Sequence, residues 1–323
     1  MVVKNAFREL AIMQATKQPE VIDWLLEETP ALEWMPFFPT NSGLNHVYEV
    51  LEAVTGAGVV DADSPLPSVN ARTGLEQTSL GILGGEMEVG EDKAQAMGGA
   101  SNVFLSRLPK ILKKSGNDAE TSVLYNNFRS QAIATRAANQ LTGAAQHAVG
   151  AGGTGTANYS IIAVKYEQGE VSGLYDPAGF GRGVMFDMEP INGGNTYHLR
   201  GQAGVLGYGM RLKSYFGVLT ANPQNTATIV NIDLDLDDGE FKALPTAMMI
   251  DDMIDAVRGT GGNTMLYCHP RVISALSNTY KLERLQMQSE ERNFDTQINA
   301  WNGIPLIGTY NMKRGTEPTV SFT

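Results

Sequence analysis

AVTGAGVVDADSPLPSVNARTGLEQTSLGILGGEMEVGED, residues 53–92, is the stretch from which the architecture of this 323-residue chain is read. Gly56, Gly58, Pro65, Pro67, Gly74, Gly81, Gly84 and Gly85 interrupt short alternating runs such as Ser79 to Leu83 and Glu86 to Val89. That punctuation describes a long extended excursion with hairpin-like pairing, not a helix. A structureless excursion of this length does not sit inside a compact domain, so the segment is expected to be ordered by something outside its own domain. It is also acidic. Gln18 to Asp92 carries 14 acids against Arg72 alone, Met1 to Lys17 carries three bases and one acid, and Lys93 to Thr323 balances 20 against 20, for a net charge of -11.

That distribution excludes a dedicated nucleic-acid binder, which needs a basic excess to neutralise phosphates. Lys110, Lys113 and Lys114 form a tight basic cluster that reads as a solvated face. With 42% hydrophobic and 18% charged residues, the chain is globular and long enough for about two domains. No apolar run approaches the ~18 residues of a membrane helix. Lys4, Arg8 and Glu9 stand where a signal peptide needs apolar residues, so a soluble protein made in the cytoplasm is expected. The single Cys268 rules out an intrachain disulfide framework and any multi-cysteine metal site.

Upstream of the excursion the chain reads as helical fragments. Phe7, Leu10 and Ala11 are in helical register, as are Val21, Trp24 and Leu25, before Pro30, Pro36 and Pro39 break the pattern. Downstream, Asp118 to Val149 is proline-free and alanine-rich, with Asn117 or Asp118 as cap, and predicts one long helix. Leu124, Tyr125, Phe128 and Ala132 lie on one flank, Ile133, Ala137 and Leu141 on the other, and Arg129, Arg136 and Gln140 form a polar stripe between them. A helix of this kind is expected to act as a beam across a sheet or between neighbours. Beyond it, YSIIAVKY, GVMFDM, TYHLR, MRLKSYFGVLT, TATIVNIDLDL and TMLYC read as strands, while Pro245 to Arg258 and Arg271 to about Gln288 read as helices. QINAWNGIPLIGTYNM reads as strand, tight turn at Asn302-Gly303, strand. The fold class is α+β.

The search for chemistry is negative. GAGGTG at Gly150 to Gly155 satisfies a dinucleotide glycine pattern, but it lies between helix and strand, the reverse of the order that presents a helix N-terminus to a pyrophosphate. Asp233, Asp235, Asp237, Asp238 and Glu240 lack the glycine and terminal glutamate of a calcium loop and alternate with Ile232, Leu234 and Leu236 as a strand would. Cys268 and His269 are adjacent, which on a strand points them to opposite faces and separates a nucleophile from its base. His46, His147 and His198 share no metal-ligand spacing. No catalytic residue, metal or cofactor is expected, and no enzyme.

SPLPSVNARTGLEQTS (Ser64 to Ser79), GYGMRLKSYFGVLTANPQNTATIVNIDLD (Gly207 to Asp235), MLYCHPRVISAL (Met265 to Leu276) and NGIPLIGT (Asn302 to Thr309), in this order, resemble the tailed-bacteriophage major capsid proteins of the Hong Kong ninety-seven fold. The resemblance covers nearly the whole chain. It implies an N-terminal arm (residues 1–52), an extended loop (53–92), a peripheral domain (93–158 and 300–323) with a spine helix over 117–149, and an axial domain (159–299). It implies a homo-oligomer of hexamers and pentamers closing an icosahedral shell around a double-stranded DNA genome held without sequence-specific contacts. Portal, scaffolding or cement proteins would be further partners, with no membrane, and the shell would be part of a virion assembled in the host cytoplasm. The same fold in a cellular nanocompartment is the runner-up, and a glycine-loop ligand-binding enzyme the second alternative.

Charge adds a contact hypothesis. Asp61, Asp63, Glu76, Glu86 and Glu88, with Arg72 among them, are expected to meet a basic neighbour presenting Arg129 and Arg136 across the subunit boundary. Some relatives weld a loop lysine to a distant asparagine. No lysine occurs from Gln18 through Asp92, so no such weld is expected here.

Overall fold

The computed structural model describes residues 29–59, 61, 65–66, 68–139, 146–155, 157–176, 187–201, 204–280, 282–287 and 296–322. Helix α1 (Pro30–Trp34) and strand β1 (Phe37–Pro39) precede a pair of long strands, β2 (Asn45–Thr55) and β3 (Asn70–Ser79). Strand β4 (Gly81–Gly90) and helix α2 (Glu91–Ala96) lead into the long helix α3, made of α-helical Ala100–Ser122, π-helical Val123–Arg129 and α-helical Ser130–Asn139. Then come β5 (Ala148–Gly150), β6 (Asn158–Lys165), β7 (Val171–Tyr175), β8 (Asp187–Pro190), β9 (Tyr197–His198), β10 (Leu206–Thr220), β11 (Thr226–Asp237) and β12 (Glu240–Ala243). Helix α4 (Ala247–Ala256), strand β13 (Thr264–Cys268), helix α5 (Pro270–Thr279) and strands β14 (Glu283–Met287), β15 (Thr296–Trp301) and β16 (Ile304–Gly308) complete the described chain.

The larger sheet runs β12-β11-β6-β13-β16-β15-β14, with β5 paired to β11. Strand β6 shows why its sequence is apolar almost without alternation: both faces are covered. Ile161 and Ala163 face α4 and α5 with Leu266, Cys268, Ile250, Met253 and Val272. Ile162 and Val164 face the other way, with Tyr267 and Ile307, onto Val123, Leu124 and Phe128 of α3. The smaller sheet runs β1-β7-β10-β4, with β8 and β9 on β10. It buries Met87, Val89 and Leu212 against Val103, Phe104, Leu108 and Leu112 in the first half of α3. Helix α3, about 60 Å long at about 1.5 Å per residue, is therefore a beam that joins the two sheets.

Several expectations need correction. The long helix begins at Ala100, not at Asn117, which lies in its interior. Pro109 does not break it, because the carbonyl deprived of a donor belongs to Leu105 on the water-facing side. At the other end Ala148–Gly150 is a strand, parallel to β11, where the helix was expected to reach Val149; residues 140–145 lie outside the described residues. The helix expected to run from Arg271 to Gln288 stops at Thr279. Tyr280 turns extended, packs edge-on against Trp301 with ring centroids 5.4 Å apart, and frees Glu283–Met287 to pair with β15. Gln288 is outside the described residues, as is most of GVMFDM, of which the last two residues open β8.

The excursion also divides. Its first half pairs only as the ribbon β2–β3, but Gly81–Gly90 forms a continuous antiparallel ladder with β10 on its own chain, because alternate residues Met87 and Val89 reach the core under α3. Asn302 and Gly303 take φ 48° and 77°, the two left-handed residues of a type I′ hairpin turn joining β15 and β16.

Candidate assembly surfaces

The ribbon β2–β3 is paired from Asn45↔Ser79 to Thr55↔Asn70 with one bulge after Leu51. Among the described residues no third strand pairs with either edge. Its apolar side chains have no core to enter: Leu75 is 78% exposed, Val54 58%, and Leu66 near the tip 83%. Two strands alone are marginal in water, and exposed aliphatic side chains beside an unpaired edge are the kind of surface on which another chain can pack. Glu49 and Leu75 stand directly opposite each other, so an acid and a large apolar group share one ribbon face.

A second construction lies at the other end of the chain. Residues 309–322 cross from the larger sheet over the π-helical part of α3 as a strap. Lys313 donates its backbone N–H to the Tyr125 hydroxyl at 2.8 Å, and that hydroxyl donates to Glu317 Oε1 at 2.6 Å. The second Glu317 oxygen accepts from the Ser160 hydroxyl and faces Arg129 Nη2 at 3.4 Å, while Arg129 Nε donates to Ser160 Oγ at 3.1 Å. Glu317 is 1% exposed, and burial raises its pKa above the ordinary carboxylate value against the opposing pull of Ser160, Tyr125 and Arg129. Further along, Asn231 and Val320 exchange two hydrogen bonds of 2.7 and 2.8 Å, and the Arg136 guanidinium sits 3.8 Å over the Phe322 ring. On the near side Glu120, fully buried, accepts from the Ala31 N–H at 2.8 Å and from Asn311 Nδ2; its pKa is likewise raised by burial. Between strap and helix an open cleft of about 390 Å³ is lined by Tyr125, Asn126, Arg129, Ile133, Lys313 and Pro318 among others.

Asp61 is exposed at the ribbon's far end, Arg72 and Glu76 are exposed on β3, and Glu76 accepts from the Tyr48 hydroxyl at 3.1 Å. Asp63 is outside the described residues. Glu86 is held by Arg211 at 2.9 Å and Arg200 at 2.5 Å, and Glu88 accepts from the Tyr197 hydroxyl at 2.8 Å and the Arg200 N–H at 3.2 Å. Arg129 and Arg136, read from the sequence as an open stripe, turn inward to the strap of their own chain, Arg136 also donating to the Ala148 carbonyl. Gln140, third in that stripe, is outside the described residues. Cys268 is fully buried and burial raises its thiol pKa, while His269 caps α5 by accepting from the Arg271 N–H at 3.1 Å, so both are structural. The glycine run is a connector: Ala151 and Gly153 donate to the Val230 and Asn231 carbonyls of β11. No group of three metal-binding side chains occurs among the described residues, and no described helix is long and apolar enough to cross a membrane. Neither Glu120 nor Glu317 was among the site residues expected from the sequence. A carboxylate on the apolar side of a helix could have flagged Glu120, but nothing local marks Glu317.

A family model described as major capsid protein GP7 matches residues 14–320. No curated protein matches. Among solved structures, a chain of bacteriophage Epsilon15 superposes with TM-score 0.51 at 15% identity, covering 88% of this chain and 88% of that one. The bacteriophage JBD30 capsid superposes with TM-score 0.50 at 11% identity, covering 93% of this chain and 98% of that one. At such identity these likenesses speak to the fold. The virus-like particle from Pyrococcus furiosus, at 11% identity over 69% of this chain and 99% of that one, reaches a TM-score of 0.37, too low to argue from.

Proposed function

This chain belongs to the GP7 major capsid protein family, and from that premise we propose that its copies close a phage head by laying the β2–β3 ribbon of each subunit on the body of the next. The chain is a major capsid protein of the Hong Kong ninety-seven fold, and its place is the virion shell. The observation that carries the proposal is the ribbon itself, a two-sided strand pair with exposed Leu75 and Val54 and no third strand among the described residues. In these terms residues 1–52 serve as arm, 53–92 as loop, 93–158 and 300–323 as peripheral region and 159–299 as axial region. The work of the protein is containment, without a catalytic step. The near balance of charge outside the acidic segment suits a wall that confines DNA packed by other proteins better than one that binds it.

The test is to replace residues 47–77 by a short Gly-Ser turn and to inspect the purified protein by electron microscopy and sedimentation beside the unaltered chain. The unaltered chain is expected to form closed shells and the shortened one to stay as small folded particles. Shells of unchanged diameter from the shortened chain would overturn the proposal.

A further inference from the structure

His269 closes the start of α5 with one ring nitrogen and leaves the other open. Its Nδ1 accepts from the Arg271 N–H at 3.1 Å, so in the neutral imidazole the proton sits on Nε2. The residue is 3% exposed, and that N–H meets no acceptor among the described residues. Around the ring the charge is one-sided. Tyr159 and Tyr310 pack against it with ring centroids 5.6 Å away, and Tyr310 is 80% exposed. Arg271 Nη1 donates to the Tyr159 hydroxyl at 3.1 Å, and a Cβ on Gly315 would come within 3.3 Å of the same hydroxyl, which brings Arg314 of the strap beside α5. Both arginines are exposed, and neither has a carboxylate within ion-pair distance among the described residues. Burial first, then Arg314 and Arg271, hold the imidazole pKa below its ordinary value, with no acid offsetting them. The positive end of α5 adds to this charge.

We propose that Arg271, Arg314 and His269 Nε2 form a binding site for a phosphate group where the C-terminal strap passes the start of α5. Two guanidinium forks and an imidazole N–H present donors from different directions, which suits a tetrahedral oxyanion of more than one charge better than a planar carboxylate. Free inorganic phosphate and the phosphodiester of a packaged genome share this chemistry, and either supplies the acceptor that Nε2 lacks. One such contact per subunit still leaves the chain far from the basic excess of a dedicated nucleic-acid binder. The site shares no residue with the ribbon, so its failure would leave the reading of the ribbon untouched.

Equilibrium dialysis of the purified chain against radiolabelled inorganic phosphate, and the anisotropy of a labelled DNA duplex titrated with the same protein, test the site and separate the two sources. Affinity is expected to fall at least about tenfold in Arg314→Gln and in Arg271→Gln, and to stay unchanged in Lys110→Gln, which removes an exposed cation elsewhere. For the duplex, loss of Arg314 should also lower the slope of log affinity against log salt by about 0.9. Arg314 makes no ion pair with the described chain, so the thermal midpoint of Arg314→Gln should match that of the unaltered protein. Duplex binding that inorganic phosphate displaces would assign the site to a nucleic-acid backbone, and phosphate binding alone, sensitive to both arginines, would assign it to the free ion; both uphold the site. Neither ligand bound, or binding equal in all three variants, would overturn the inference.

Discussion

Arg129 and Glu317 show what a single residue carries in this molecule. The Arg129 side chain is 11% exposed and that of Glu317 1%, so each is a charge removed from water on condition that the other is present. Removing one partner of a buried pair costs about 3–5 kcal/mol because it strands the other, whereas replacing both by apolar groups costs far less. Arg129→Ala should therefore lower the urea midpoint by an amount equivalent to about 3–5 kcal/mol, and Arg129→Met with Glu317→Leu should recover a large part of that loss; equal losses in the single and double variants would remove the pair from the account. The two buried carboxylates also set a pH dependence. Burial raises the folded-state pKa of Glu120 and Glu317 above 4.5, so as pH falls from neutral through those raised values the folded chain takes up protons before the unfolded chain does. Their unfavourable contribution at neutral pH thus fades on acidification and is gone below the ordinary carboxylate range. Glu120→Gln removes one such group, so its urea midpoint relative to the unaltered chain should fall between pH 7 and about pH 5; a constant difference over that range would refute the burial argument.

At the scale of elements, Gly173 and Phe37 form the joint where the chain first enters the smaller sheet. Strand β1 is three residues long and parallel to β7, and the Phe37 ring lies across Gly173, where an added Cβ would come within 2.4 Å of it. Gly173→Ala should displace that ring and destabilise the chain by about 1–3 kcal/mol in urea titration, while Phe37→Ala made together with it should cost little more than Phe37→Ala alone. Full additivity would mean that the two do not share the joint. This joint has no signature in the sequence, because it depends on a residue 136 positions away, whereas other elements were plain there. Strands β6, β11 and β13 carry unbroken or alternating apolar runs, and Asn302-Gly303 names its own turn, so burial and local chemistry agree. The start of α3 was misplaced for the opposite reason. Pro109, Gly116 and Asn117 look like breaks and a cap, yet Val103, Phe104, Leu108, Leu112, Gly116 and Ala119 bury one continuous face across them, and tertiary burial outweighs the local preferences. The strap was illegible because its partners lie far off: Glu317 and Tyr125 are 192 residues apart, Asn311 and Glu120 191.

For the whole molecule, the question is what holds many copies together once they have met. A lysine–asparagine weld needs an amine to attack a side-chain carboxamide and expel ammonia, and the ribbon together with the acidic segment around it, from Gln18 to Asp92, contains no lysine. A disulfide needs two accessible thiols, and the single cysteine, Cys268, is fully buried in the larger sheet with its thiol pKa raised by burial. With no lysine in that segment and the cysteine buried, the reading that the ribbon crosses to a neighbour expects noncovalent burial to hold the copies, the ribbon's aliphatic side chains contributing about 25 cal/mol per Å² of apolar surface they would cover. Assembled shells boiled in detergent should accordingly give one band at the 34.8 kDa of the single chain, identical with and without reductant. A ladder of multiples that persists under reduction would mean that a lysine outside the ribbon reaches across the boundary. One that disappears under reduction would mean that Cys268 leaves the core during assembly, and either result would end the claim that burial alone closes the wall.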